Sequence, residues 1–281
     1  MTSPIETMRQ EVAARHTRYW DDEQARCANK RVVLVEGDDD RYVLEALLTA
    51  ADPTWSTRAA VVVAGSRARV AQRLATTFAG GVGLVDRDVW SDSEAASAGV
   101  GGRLFVTAGW CLENTLLAIR TEGDPPELDA ALEAAREEWV RAGALWYTLQ
   151  RTRDAFNEWQ THVGWTYGGP RPDLHLEDPD KLRLALEARI PKPVRRAAGL
   201  DLHQLAVNYA KRLVEVRGWA PADQWLRGVH GKCAFGQVLV PLLNSGKGPA
   251  AQRTALGWKI ARAGRLTQPP APLDAILAAV L

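Results

Sequence analysis

The chain has 281 residues, 46% of them apolar and 25% charged, which is ordinary globular usage and excludes extended disorder. Thirty-five Lys and Arg stand against 34 Asp and Glu, so no overall field draws the protein to nucleic acid or an anionic membrane, and any such contact has to be a local patch. The amino terminus MTSPIETMRQEVAARH is charged throughout, the apolar runs fall far below the roughly 18 residues of a membrane span, and Cys27, Cys111 and Cys233 form no CxxC pair; these features predict a cytoplasmic protein without a disulfide framework or a zinc site.

Residues 1–30 are expected to form an N-terminal helical segment. Arg31 to Val35 (RVVLV) is a β-branched run, and Val43, Ala46, Leu47 and Ala50 behind it recur at helical spacing, so strand, turn and helix follow one another. The unit repeats. Ala59 to Val63 (AAVVV) reads as a buried strand, Ser66 as a helix N-cap, and Val70, Leu74 and Phe78 as a helical stripe. A third strand is predicted at Val82 to Val85 and a fourth at Leu104 to Thr107, leading into CLENTLLAIR, whose Leu112, Leu116 and Ile119 fall near one helical face.

Strands alternating with helices imply a mainly parallel α/β sheet flanked by helices, with functional residues gathered beyond the carboxyl ends of the strands. After TEGDPP at 121 to 126 the pattern turns to long helical stretches, around Trp139, Trp146 and Trp159 and from Asp201 to Val216. WTYGGPRP and PKPVRR read as loops. An α/β core at 31–121 and a mainly helical region at 122–281 are therefore predicted, with most of the 11 tryptophans in packing roles.

Three acidic motifs follow predicted strands: VEGDDD at 35 to 40, DRD at 86 to 88 and LEN at 112 to 114. A glutamate ending one strand and an alternating DxD ending another offer hard oxygen ligands, suited to Mg²⁺ or Mn²⁺. Gly37 permits a tight turn after Glu36. Asp38 and Asp39 read more simply as acids in the first turn of a helix, and Asn114 as a cap. His230 has no second histidine at ligand spacing and reads as structural. Neither Gly231-Lys232 nor Gly246-Lys247 completes a P-loop. The basic groups Arg67, Arg69, Arg73 and Lys192, Arg195, Arg196 fit solvated faces better than phosphate sites.

VEGxxD after the first strand and DxD after a later one resemble the Toprim domain. Taken together, VEGDDDRYVLEAL, GLVDRDV, LENTLL and the distal VHGK are similar to the Toprim effector group related to OLD nucleases, which includes the AriB subunit of PARIS anti-phage systems. The resemblance covers residues 31–120 and a short motif at 228–233. It implies a metal-dependent nuclease in which Asp86 and Asp88 bind Mg²⁺ or Mn²⁺, Glu36 is a ligand or general base, and Asp40 is the trailing acidic ligand position. Glu113 is then an auxiliary carboxylate, and Lys232, returned to the site by the helical region, stabilises transition-state charge. The same resemblance implies a nucleic-acid substrate, DNA or RNA with tRNA among them, a separate ABC- or AAA-type ATPase partner docked on the helical region, and room for a homodimer. The competing expectations are a HAD-like metal-dependent phosphatase, since GLVDRDV also fits a strand followed by DxD, and a non-catalytic Toprim-fold adaptor that binds an ATPase.

Overall fold

The computed structural model describes residues 19–98, 101–118, 124–152, 172–174, 176–243 and 249–281, with residues 6 and 163. The chain forms two discontinuous compact units, one of Met1–Val85, Ala98–Phe105 and Thr267–Leu281, the other of Asp86–Ser97 and Val106–Leu266. The division is not the contiguous one expected from sequence, and the predicted boundary near residue 122 falls outside the described residues. No described helix is long and apolar enough to cross a membrane.

The first unit is α/β. Strands β1 (Arg31–Val35), β2 (Ala59–Val63), β3 (Val82–Val85) and β4 (Leu104–Val106) form a parallel sheet in the order β2-β1-β3-β4. Arg31 to Val35 pair in register with Ala59 to Val63, and Val33 and Leu34 face Val82 and Gly83. β1 and β2 are buried almost throughout, which is why they read as continuous β-branched runs and not as alternation.

Helix α1 (Asp38–Ala51) buries Val43, Leu44, Leu47 and Leu48, while Asp38, Asp39 and Asp40 occupy its first turn, where carboxylates meet the positive end of the helix dipole. Helix α2 (Arg67–Thr76) starts at Ser66, whose side chain accepts from the Arg69 N–H, and buries Val70 and Leu74. A Cβ on Gly83 would lie 2.6 Å from Val70 Cγ1, so the glycine in VGLV lets α2 sit close against β3. The C-terminal helix Leu273–Val280 packs on β1, and Arg31 donates to the carbonyl of Ala279. That return to the sheet has no local signature in the sequence.

The second unit is helical, and it also takes the turns that follow β3 and β4. It contains α3 (Asp92–Ser97), α4 (Leu112–Ala118), α5 (Leu128–Arg151), α6 (Pro179–Arg189), α7 (Lys192–Ala197), α8 (Leu202–Arg217) and α9 (Pro249–Ala263). Its core joins Trp139, Leu145 and Leu149 of α5 to Leu182 and Leu186 of α6 and to Leu205, Tyr209 and Leu213 of α8. The segment PKPVRR, expected as a loop, forms the start of α7 because its proline stands in the first turn, where the missing N–H has no helical partner to lose. Trp159 and Ile119, and Gly246-Lys247, lie outside the described residues.

A close crossing organises this unit. A Cβ on Gly143 would lie 1.9 Å from the carbonyl oxygen of Gly228, so α5 meets the π-helical segment Gln224–Gly228 backbone to backbone, which only glycine allows. That contact seats the segment running on to His230, Gly231 and Lys232.

Candidate active site

Glu36 and Asp40 belong to the first unit. Glu36 Oε2 accepts the Arg67 N–H at 2.9 Å, at the N-terminus of α2, where a carboxylate is favoured by the helix dipole. Asp40 Oδ2 accepts the Gly37 N–H at 3.2 Å and so closes the start of α1 in addition to any ligand role. Arg73 of the basic group stacks over Trp20 with its Cζ 4.0 Å from the ring centre, and Arg195 pairs with Glu187, so each of these spends its charge locally.

Asp86, Asp88, Glu113 and Lys232 belong to the second unit. Asp86 is buried; its Oδ1 accepts the Leu112 N–H at 3.2 Å, at the start of α4, and its Oδ2 accepts from Lys232 Nζ at 2.6 Å. The two residues are 146 positions apart. The turn that carries Asp86 is held from both sides: the Arg87 N–H donates to Thr107 Oγ1 at 2.9 Å, and the Asp88 N–H donates to the Trp110 carbonyl at 2.8 Å. Asp88 has a φ of 49°, a left-handed conformation that costs a non-glycine residue energy and that an aspartate tolerates better than most. Predicted strand residue Thr107 thus lies past the end of β4 and works as a brace for the DRD turn.

Glu113 is buried and ion-paired through Oε1 to Lys259 Nζ at 2.6 Å. Burial works to raise its carboxyl pKa, but the ammonium groups of Lys259 and Lys232 outweigh it and hold the group well below the usual carboxylate range. Lys232 therefore acts on both Asp86 and Glu113. Burial and the carboxylates of Glu113 and Asp86 push the Cys111 thiol up, so it stays protonated and donates to Asn114 Oδ1. His230, stacked on Trp146 with ring centres 4.0 Å apart, is pulled down to about 4 by burial and by Lys232 and is neutral at pH 7.

Asn114 ties the LEN and VHGK motifs together. Its Oδ1 accepts the N–H groups of Cys111 and Gly231, each at 3.1 Å, and its Nδ2 donates to the carbonyls of Trp225 at 2.7 Å and Val229 at 2.9 Å. A Cβ on Gly231 would lie 2.4 Å from Asn114 Oδ1, so the glycine before Lys232 is the residue that lets the amide approach. The side chain does more than cap a helix: it fixes where Lys232 begins.

Lys259 was not singled out by sequence, although a signal exists. Ala255, Lys259 and Arg262 fall at i, i+4 and i+7 of α9 and are all buried, so two cations interrupt what would otherwise be an apolar stripe. Arg262 answers Asp124, as Lys259 answers Glu113.

The acids here offer carboxylate oxygens, the donor type a hard cation takes, but both oxygens of Asp86 already accept hydrogen bonds, from the Leu112 N–H and from Lys232 Nζ. Among the described residues no three His, Cys, Asp or Glu side chains stand together as a metal ion would need. Compared with known proteins, the chain matches no family model, no curated protein and no solved structure.

Proposed function

We propose that this chain is a nuclease that hydrolyses phosphodiester bonds in nucleic acid with Mg²⁺ or Mn²⁺, and that it serves as the effector of an anti-phage system controlled by a separate ATPase. The chemical part of the reading is carried by the ion pair of Lys232 with Asp86, delivered across 146 residues to the DRD turn. The Lys232 side chain is 45% exposed. The Asp86 carboxylate is buried while the Lys232 ammonium reaches water, so the pair holds a cation at the surface over a desolvated acid. An exposed ammonium on a buried carboxylate is suited to meet a ligand.

Phosphodiester hydrolysis needs charge at the phosphate neutralised, a water activated and the leaving oxygen stabilised. Asp86 holds the Lys232 ammonium in one place, so its charge is already oriented when phosphate arrives. Lys259 cancels the charge of Glu113, and the four groups Asp86, Glu113, Lys232 and Lys259 together are neutral, so an approaching phosphate is not repelled as it would be by bare carboxylates. Asp86 and Asp88 are the residues that would hold the cation, and a bound cation would supply a polarised water and a further positive charge. The resemblance assigns Glu36 as an additional ligand or general base. The control by an ATPase and the defence role rest on that resemblance alone.

The test is cleavage of labelled single- and double-stranded DNA and RNA by the purified chain, alone and with a co-expressed candidate ATPase, with Mg²⁺, Mn²⁺ or EDTA. Asp86→Asn, Asp88→Asn, Glu36→Gln and Lys232→Ala are expected to abolish or strongly reduce it, and the double variant Asp86→Asn/Asp88→Asn to remove Mn²⁺ binding seen by electron paramagnetic resonance. Cleavage that survives EDTA or the Asp86 and Asp88 changes overturns the proposal.

A further inference from the structure

Beside the DRD turn, the helical unit contains a cavity of about 170 Å³ whose wall includes Arg87 and Asp88 themselves. Its remaining lining is unusual in composition: Trp90, Trp110, Tyr147 and Trp219 supply rings, and Arg212 and Arg227 supply flat guanidinium groups. These alternate. Arg212 Cζ lies 4.0 Å from the Tyr147 ring centre and 4.7 Å from that of Trp219, and Arg227 Cζ lies 5.1 Å from the same Trp219 ring.

Charge decides what kind of ligand this wall suits. Arg87, Arg212 and Arg227 are matched by Asp88, Asp92 and Glu215 in the same lining, with Arg87 paired to Asp92 and Arg212 to Glu215 at 2.8 Å. A free anion would gain little there. Trp110 is almost fully buried and the Tyr147 and Trp219 rings carry guanidinium groups, so what the cavity offers is Trp90 and planar cations already stacked on rings, which favours a flat, uncharged ring system. Its volume is below the roughly 300 Å³ at which sites for drug-sized ligands begin, so it is sized for one ring system and not for a longer ligand. A shallow hollow that shares Tyr147, Arg212 and Glu215 adds Thr148, Arg151, Asn208 and Lys211; Arg151 is paired with Glu94 and Arg212 with Glu215, which leaves the exposed Lys211 as the cation there with no ion-pair partner among the described residues. A ring in the cavity with one phosphate at Lys211 is the layout of a single nucleotide of a strand.

We infer that this cavity is a base-stacking subsite that takes one unstacked base of a single-stranded nucleic acid, so that the enzyme acts on single strands, loops or ends in preference to intact duplex. The inference rests on the nuclease reading for its consequence, but base binding is separable from cleavage. In a duplex every base is paired and stacked on its neighbours, and filling the cavity would require extruding one, which costs energy that a loop or single strand does not pay.

The experiment measures fluorescence anisotropy of a labelled 12-nucleotide single strand with the full chain in EDTA, against the same strand annealed to its complement and against a version with abasic sites in place of its central bases. The single strand is expected to bind at least about 10-fold more tightly than the duplex. From the usual size of base stacking on aromatic residues, Trp90→Leu and Arg212→Lys should each weaken single-strand binding by about 5- to 150-fold, with duplex binding unchanged. The abasic strand keeps its phosphates and needs no protein variant, so it decides the matter even where a substitution disturbs folding; it should bind as weakly as the duplex. Equal binding of intact and abasic strands, or of single strand and duplex, overturns the inference whether or not the chain cleaves. If the binding pattern holds and no cleavage is found under any condition, the nuclease reading fails and the subsite stands.

Discussion

Replacing Asn114 by alanine tests whether one buried amide holds the lysine-bearing turn. Asn114 is 2% exposed, and its side chain serves four backbone groups, the N–H groups of Cys111 and Gly231 and the carbonyls of Trp225 and Val229. At about 1 kcal/mol net for each hydrogen bond, the four together come to about 4 kcal/mol. The loss is a large share of the roughly 5–15 kcal/mol by which folded domains are stable. Urea unfolding followed by tryptophan fluorescence should show the midpoint falling with little change in slope. Asn114→Asp is the sharper variant, because it keeps the volume and the acceptor while turning both donated bonds into contacts between a carboxylate and a carbonyl. It should be at least as destabilised as the alanine form. A loss below about 1 kcal/mol for alanine, or an aspartate variant as stable as the parent, refutes the reasoning.

Acid should weaken the fold in two stages. Buried His230, lowered from 6.5 to about 4, stays neutral in the folded chain while the unfolded chain takes up a proton, so stability falls as pH drops from 6.5 towards 4. Glu113, whose folded pKa is also lowered, contributes stability above its ordinary value of 4.5 that is lost as pH falls further. Thermal melts from pH 8 to 3 check both, with His230→Gln flattening the upper stage; a melting temperature constant between pH 6.5 and 4.5 counts against it. Lys259→Met, which leaves Glu113 buried without its partner, should cost about 3–5 kcal/mol in urea unfolding, and a neutral outcome would show that the pair is not closed to water. Gly143→Ala places a methyl 1.9 Å from the Gly228 carbonyl oxygen and should cost at least the roughly 1–3 kcal/mol of an overpacked core; wild-type stability would mean that the crossing yields easily. Lys232→Ala should lower kcat per folded molecule by about 10²- to 10³-fold, in the range of losing one oriented donor to developing charge, and should also lower the melting temperature, because it leaves the buried Asp86 carboxylate without its cation. Lys232→Arg, which keeps charge but not shape, should retain partial activity if electrostatics dominate.

The α/β pattern was legible in the sequence because each of its signals is local. RVVLV, AAVVV and VGLV are short buried runs, Ser66 is a hydrogen-bonding N-cap, and α1 and α2 carry apolar stripes at helical spacing; none of these depends on a distant residue. The acidic turns were equally visible, since DxD and VEG stand directly behind strands. PKPVRR reads as a loop in sequence yet is helical in the fold, because proline marks both loops and the first turn of a helix, and only the backbone around it decides which.

Tertiary structure alone decided the pairings. Lys232 meets Asp86 and Lys259 meets Glu113, each across 146 residues, and no periodicity connects positions so far apart. Asn114 can be seen as a cap from sequence, whereas its contact with Gly231 depends on α5 crossing the π-helical segment Gln224–Gly228 at Gly143. The same holds for the ladder of Tyr147, Arg212 and Trp219, whose members come from α5, α8 and the turn beyond it. Local chemistry sets where a strand or helix begins, because it acts between near neighbours along the chain. Which charge faces which carboxylate is set by how the helices pack, and that is a property of the whole core.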